Sequence, residues 1–522
     1  MPKLIAEDEI QEQLQVYERR LREEWEVKPA QPVTHFKRPR EKTFRSMERG
    51  QVTILFGGLT RTHDYILKAA TEGLGYRSQD LPVPDNRALA TGKEFGNRGQ
   101  CNPTYYTVGN LVQYLQTLRK AGVEEIEQRY VFVTAGACGP CRFGMYEAEY
   151  RKALIDAGFP DFRVLIFSQS GGLTSEGEDG EEAEPSGGID FNKTFYATIL
   201  RALIASDIVN TMALRIRPYE TEPGATDRAL DAAKEALREC FRNQRSVWMA
   251  LRRVRKLFES IDVDYTRLRP KVQITGEFWA QTTEGDGSYH LRTWLEAEGA
   301  EVLTDPVGTW IDYILHSAIA RQRERLGIRR GARTRIVKLW LGLRLYKSFY
   351  NFYRSAFGFR TAPLVSQKRL AAAAGDYYDT RLSGGEGHME VGKHILSFRD
   401  RKAHMVASIK PFGCMPSTQS DGVQSKVVSD LKQSIFLPLE TTGDGEVNFK
   451  SRVQMKLFEA RVRAREELDE ALHKHGVTVQ DVREFAATRP TLRRPTQELP
   501  HTYTSVAANF VEKVAKQMPK RR

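Results

Sequence analysis

Residues 127–146 read EQRYVFVTAGACGPCRFGMY. The apolar run through Tyr130–Val133 has the pattern of a buried parallel strand, and it breaks at Gly136. Cys138-Gly-Pro-Cys141 follows, and RFGMYEAEYRKALIDAGF after it has helical spacing. Strand, glycine-containing turn and helix together make an α/β unit. The same alternation extends to both sides. QVTILFGG (51–58) is a strand, and THDYILKAATEGLGY is the helix after it, with Thr62 or His63 near its start and Gly73 near its end. PTYYTVGNLVQYLQTLRKAG is a further helix and FRVLIFSQS a third strand. The acidic stretch SGGLTSEGEDGEEAEPSGG (170–188) is rich in glycine, has no periodicity and reads as a solvated loop.

Residues 190–260 have helical spacing throughout, and Cys240 sits at an apolar helical position within them. A second α/β unit opens at RPKVQITGEFWA (269–280). SYHLRTWLEAEGAEVLTDPVG gives a helix and a strand, and further helices are expected near 308–325 and 337–357. GHMEVGKHILSFRD is a helix, AHMVASIKPFG a strand ending at Cys414, SIFLPLE a strand, and NFKSRVQMKLFEARVRAREELDEALHKHG a long helix. The expected organisation is an N-terminal helical arm (1–50), a first α/β domain (51–189), a helical linker (190–265), a second α/β domain with a helical insertion (266–475) and a C-terminal tail (476–522).

The chain has 522 residues, a formal net charge of +12 and five cysteines. No apolar run is long enough to span a bilayer, and the charged N-terminal residues lack the apolar core of a secretion signal. A cytoplasmic location without a membrane partner is the expectation. The basic balance suits an acidic partner or a phosphate-bearing substrate. Nucleic acid is not an expected partner, because no familiar binding motif is present. Five cysteines are too few, and odd in number, for a disulfide-stapled secreted scaffold.

Four of the cysteines lie in loops between strands and helices. Cys101 is in GNRGQCNPTYY, Cys138 and Cys141 are in AGACGPCRFG, and Cys414 is in KPFGCMPS. Ligands of α/β sheets collect at such loops. Four thiolates from three loops can hold a tetrahedral metal or an iron–sulfur cluster, here in a crevice between the two α/β units. Thiol–disulfide exchange of the thioredoxin kind does not fit. Ala137 rather than Trp precedes Cys138, and the acidic loop stands where a core strand after a cis-proline would have to be. Cys240 reads as a small buried hydrophobe.

The motifs GNRGQCNPTYYTVGNLV, AGACGPCRFGMY, KVQITGEFW and IKPFGCMPS together resemble the iron–sulfur component of the 2-hydroxyacyl-CoA dehydratase and acyl-CoA reductase systems. They resemble most its relatives labelled activators of (R)-2-hydroxyglutaryl-CoA dehydratase or CoA-substrate-specific enzyme activases. The resemblance covers roughly residues 50–475. It implies two Rossmann-like parallel-sheet domains, joined and flanked by helices, with a cysteine-held [4Fe-4S] cluster in the cleft. It implies Cys101, Cys138, Cys141 and Cys414 as ligands, and a separate ATP-dependent activase that delivers a low-potential electron in trans. The nucleotide-binding pattern of that ATPase is absent: FGGLTRTHD (56–64) is a poor match. The chain therefore reads as the electron acceptor, oxygen-sensitive, passing its electron to an acyl-CoA-type substrate or a partner. Whether it is itself a dehydratase or a reductase, and whether it is a dimer, are left open. The competing expectation is a scaffold or assembly protein stabilised by zinc or a cluster, without catalysis of its own.

Lesser candidates surround these motifs. Glu277 ends a strand, where a carboxylate can orient a ligand, act as a base or simply cap a helix. Arg142 flanks the cysteine motif and would tune a cluster's potential, or is a surface arginine. SGGEGHMEVGK (383–393) offers Glu386, His388 and Lys393 on a glycine-rich turn without Walker spacing, so a plain helix start is the simpler reading. RQRERLGIRRGARTRIVK (321–338) would grip a CoA phosphate or an acidic face, or is a solvated helical surface.

Overall fold

The computed structural model describes residues 7–24, 44–136, 141–168, 172–173, 189–328, 330–382 and 385–519. Cys138, most of the acidic loop and the basic connector before Phe44 lie outside the described residues. The helix Glu7–Glu24 belongs to a unit of its own, residues 1–42. Both sheets lie in the second unit, Thr43–Arg522.

The first sheet contains β1 (Thr53–Phe56), β2 (Arg77–Asp80), β3 (Tyr130–Gly136), β4 (Arg163–Ser168) and β5 (Gly172–Leu173). Its order is β2-β1-β3-β4-β5; the first four strands are parallel and β5 pairs antiparallel. The second sheet contains β6 (Lys271–Gly276), β7 (Glu301–Leu303), β8 (Met405–Pro411) and β9 (Ile435–Thr441), all parallel, in the order β7-β6-β8-β9. The two sheets share one topology. In each, the chain reverses direction across the sheet between its two central strands, β1 and β3 or β6 and β8. Crevices for ligands open at such switch points, outside the carboxyl ends of the strands. The α/β class with two parallel sheets is as expected from the alternation of elements.

The central strands are apolar because helices cover both their faces. All seven residues of β8 are buried, Lys410 among them. Its ammonium stands 3.2 Å from the carboxylate of Glu390, so the charge is not taken out of water alone. Two elements leave no such mark in the sequence. β2 reads RSQD because it is an edge strand, and the helix Asn86–Phe95 is short and carries Gly92. The helix read from Thr62 or His63 begins earlier, at Arg61, with Thr60 as its cap.

Between the sheets lies a helical core. The helix Lys193–Ile216 is by length and composition apolar enough to cross a membrane, yet more than half of that window is buried inside the protein. Ala202, Ala205, Val209 and Ala213 let the helices Arg61–Gly73 and Ala225–Arg242 approach it closely. Residues beyond 476 belong to the same core. The helices Val479–Ala487 and Val506–Ala515 bury Val482, Phe510, Val511 and Val514 in it.

The helix Asn102–Lys120 is seated by backbone contact. A Cβ on Gly109 would lie 1.8 Å from the carbonyl oxygen of Ala88, and one on Gly92 would lie 1.9 Å from that of Tyr105. No side chain fits between the two helices there. Gly109→Ala is expected to destabilise the fold by about 1–3 kcal/mol or more. Urea unfolding checks this: the midpoint should fall while the slope is kept.

Candidate functional site

Three described cysteines occupy equivalent backbone positions. Cys101 is the cap residue of the helix Asn102–Lys120, with Pro103 in its first turn. Cys141 follows β3 and caps the 3-10 turn Arg142–Met145, which runs into the helix Tyr146–Asp156. Cys414 follows β8 and caps the helix Met415–Asp430, with Pro416 in its first turn. Each has an extended backbone, and none of the three side chains accepts a capping hydrogen bond. The first N–H groups of a helix lack intrahelical partners and carry partial positive charge. A thiolate at the cap position therefore faces donors that stabilise it.

Tertiary contacts bring these caps together from both lobes. The backbone N–H of Asn102 donates to the carbonyl of Phe412 at 3.1 Å, and its side-chain amide donates to the carbonyl of Thr441 at 2.8 Å. Gly413 has φ +79°, and a Cβ there would lie 3.3 Å from the Cα of Cys101. The loop before Cys414 thus rests directly on Cys101. Cys141 feels the charges of Cys101, Glu277 and Glu386, and Cys414 feels those of Glu277 and Glu386. Three of the four expected cysteines therefore share one cleft with two carboxyl groups. Cys138 lies outside the described residues. Cys240 is apart from them, buried in the helical core with its thiol donating to the carbonyl of Arg245 at 3.3 Å.

The electrostatics of this cleft are lopsided. Burial pushes the Cys141 thiol up to about 12 and raises Cys414 further, and the facing carboxylates add to both. Glu277 caps the short helix Phe278–Thr282, accepting from the N–H of Ala280 at 2.7 Å. Burial still pushes its carboxyl up to about 7. Glu386 is buried, and burial followed by the charges of Glu277 and Glu390 holds its pKa well above the ordinary range. Among the described residues, the lysines whose charges reach these groups, Lys393 beside Glu386 and Lys410 beside Cys414, are themselves held by other carboxylates. Lys393 pairs with Asp305 at 3.0 Å, and Lys410 pairs with Glu390 and Asp421. Without an added positive centre, burial and the facing carboxyls favour the protonated forms of Cys141, Cys414 and Glu386.

Cys101 is buried, and its sulfur lies 3.2 Å from the hydroxyl of Thr104 and 3.3 Å from that of Tyr146. Both hydroxyls can donate to a thiolate. Sequence spacing offered a clue to Thr104, which stands three residues after a cap residue. Nothing in the sequence connected Tyr146 to Cys101, because that contact spans 45 positions.

The lesser candidates separate. Glu277 is both a helix cap and a member of the cleft, so the two readings of it coexist. Arg142 starts the turn after Cys141 and forms no ion pair with a described residue. His388 is buried edge-on against the ring of Tyr313, and burial lowers its pKa to about 4, which keeps it neutral. Lys393 is committed to Asp305, which also pairs with Lys402, so the 383–393 turn offers no free lysine for a phosphate. The basic segment 321–338 is almost wholly exposed where it is described.

The donor set fits a cluster. It is rich in soft thiols, it draws on both lobes, and hydroxyl donors back one sulfur. Among the described residues no three His, Cys, Asp or Glu side chains stand close enough to hold a single metal ion. No protein-family model matches the chain, and no curated protein matches it.

The raised carboxyl of Glu277 makes a prediction about the metal-free chain. The folded state holds a proton between about 4.5 and about 7 that the unfolded chain has released, so stability falls as pH rises through that window. Urea midpoints of the apo protein measured at about pH 5 and about pH 8 should differ in that direction. Glu277→Gln should reduce the difference. An unchanged slope in the variant would show that Glu277 is not the group responsible.

Proposed function

We propose that the chain is an iron–sulfur protein in which Cys101, Cys138, Cys141 and Cys414 hold a [4Fe-4S] cluster between the two lobes. The observation that carries this reading is the meeting of three helix-capping cysteines, from both sheets, in one cleft where burial opposes any uncompensated negative charge. A cationic iron–sulfur core would let the thiols ionise, and the helix starts would stabilise the thiolates.

A bound cluster of this kind supplies one-electron transfer. The residues around it have separable tasks. Thr104 and Tyr146 orient hydroxyl donors at the sulfur of Cys101, which would raise the reduction potential of a bound cluster. Glu277 and Glu386 hold protons beside the cleft, where a substrate or partner group could receive them. If all four cysteines held it, such a cluster would supply electron transfer rather than a site that binds a hydroxyl group.

The role we infer follows from the resemblance of the four motifs. The chain accepts a low-potential electron from a separate ATP-dependent activase and passes it to an acyl-CoA-type substrate or a partner protein. A reducing, cytoplasmic compartment suits the free cysteines. The alternative is a zinc- or cluster-stabilised scaffold without its own chemistry.

Anaerobic purification with iron and acid-labile sulfide analysis decides between them. The expected protein is brown and carries about four irons and four sulfides per chain. Cys414→Ser and Cys141→Ser should each lower the iron content sharply, and Cys240→Ser should not. About one zinc per chain, or full iron in Cys414→Ser, would contradict the proposal. An electron paramagnetic resonance signal after reduction then tests whether the centre accepts an electron.

A further inference from the structure

The helix Ala332–Ser355 is buried on one side only. Leu343, Tyr346, Tyr350 and Tyr353 face the protein. Val337, Leu341, Leu345 and Phe352 fall on the opposite side by helical spacing, and they are 63%, 53%, 62% and 53% exposed. Trp340 borders this stripe at 46% exposure. At the turn before the helix Ile328 is also 86% exposed. Single exposed apolar residues are ordinary, but a contiguous outward stripe on a helix marks an interaction surface.

The charge around the stripe is one-sided. Residues 321–345 contain nine lysines or arginines and one acidic residue, Glu324. Arg333, Arg335, Lys338 and Arg344 are exposed on the helix itself. None of the four is in an ion pair with a described residue. The guanidinium of Arg344 sits 4.6 Å from the centre of the Trp340 ring. A two-fold contact between copies of this chain would set these basic residues against themselves. The occupant must be anionic and must also accept leucine, valine and tryptophan side chains. A lipid headgroup layer meets both demands, and it conforms to a convex helix and its adjoining turn without a matching groove.

We propose that this outward face docks on an anionic phospholipid surface. Val337, Trp340, Leu341 and Leu345 enter the headgroup region, and the flanking arginines and Lys338 meet the phosphates. The helix lies along the surface; nothing in this mode requires a spanning segment. The sequence alone reads the segment as solvated or phosphate-binding, because its apolar residues sit on both sides of the helix. The stripe emerges only when the buried side is known. The inference is independent of the cluster in the cleft.

Cosedimentation of the full chain with vesicles tests it. Binding is expected to mixed phosphatidylcholine–phosphatidylglycerol vesicles at low salt, to weaken on adding salt, and to be absent with phosphatidylcholine alone. A blue shift of tryptophan emission should accompany binding and be lost in Trp340→Phe. The double variants Leu341→Ser/Leu345→Ser and Arg333→Glu/Arg335→Glu should each bind at least about tenfold more weakly. Their thermal unfolding should match the parent, because all four residues are exposed. The proposal is overturned by a parent chain that stays in the supernatant, or by variants that sediment like the parent. It is also overturned if the parent is a dimer that the leucine substitutions dissociate, or if the parent binds polyglutamate but not vesicles.

Discussion

Backbone contact between the loop before Cys414 and the start of the helix Asn102–Lys120 governs the rest of the site. The amide of Asn102 reaches into the second sheet at Phe412 and Thr441, and Gly413 lies flat against Cys101. Both sides of this seam are rigid. On one side β8 is wholly buried. On the other the helix is wedged by Gly92 and Gly109 against its neighbour. A side chain at 413 would press on Cys101, and the left-handed backbone there already favours glycine. The phenol of Tyr289 strengthens the same region, accepting from the N–H groups of Gly443 and Gly445 in the loop after β9.

The seam creates an electrostatic problem. Helix starts aim donors at the three described thiols, which favours thiolates. At Cys141 and Cys414 burial and two facing carboxyl groups act the other way, and for the metal-free chain they prevail. Such opposed terms are characteristic of sites built around a positive centre, since a cation reverses the balance at once. The nearby lysines do not resolve it, because Lys393 and Lys410 are committed to Asp305, Glu390 and Asp421.

The helical core supplies the frame that keeps the lobes in place. The carboxylate of Asp207, on the helix Lys193–Ile216, accepts from the N–H groups of Val307 and Gly308 at 2.7 and 2.9 Å. It also lies 3.2 Å from Nε2 of His63, whose Nδ1 meets the hydroxyl of Thr60 at 2.7 Å. One buried carboxylate thereby joins the loop after β1, the central helix and the helix Gly308–Glu324. Its partners satisfy it fully, as a buried charge requires. The C-terminal helices complete this core: Phe510 packs on Tyr265, 5.8 Å between ring centres.

The α/β class, the central strands and the placement of Cys141 and Cys414 after strands were legible in the sequence, whereas Cys101 lies between two helices, Asn86–Phe95 and Asn102–Lys120. Periodicity and glycine or proline at the turns are local signals, and local physics alone sets them. β2 and the helix Asn86–Phe95 were not legible, because pairing with β1 and a glycine contact with a neighbouring helix sustain them instead of their own patterns. The sequence by itself therefore determined which residues could serve as ligands. Only the tertiary structure decided which of them share a cleft, that Glu277 and Glu386 join them, and that Lys393 does not stand free. Those outcomes depend on contacts between residues hundreds of positions apart, whose distances no periodicity encodes.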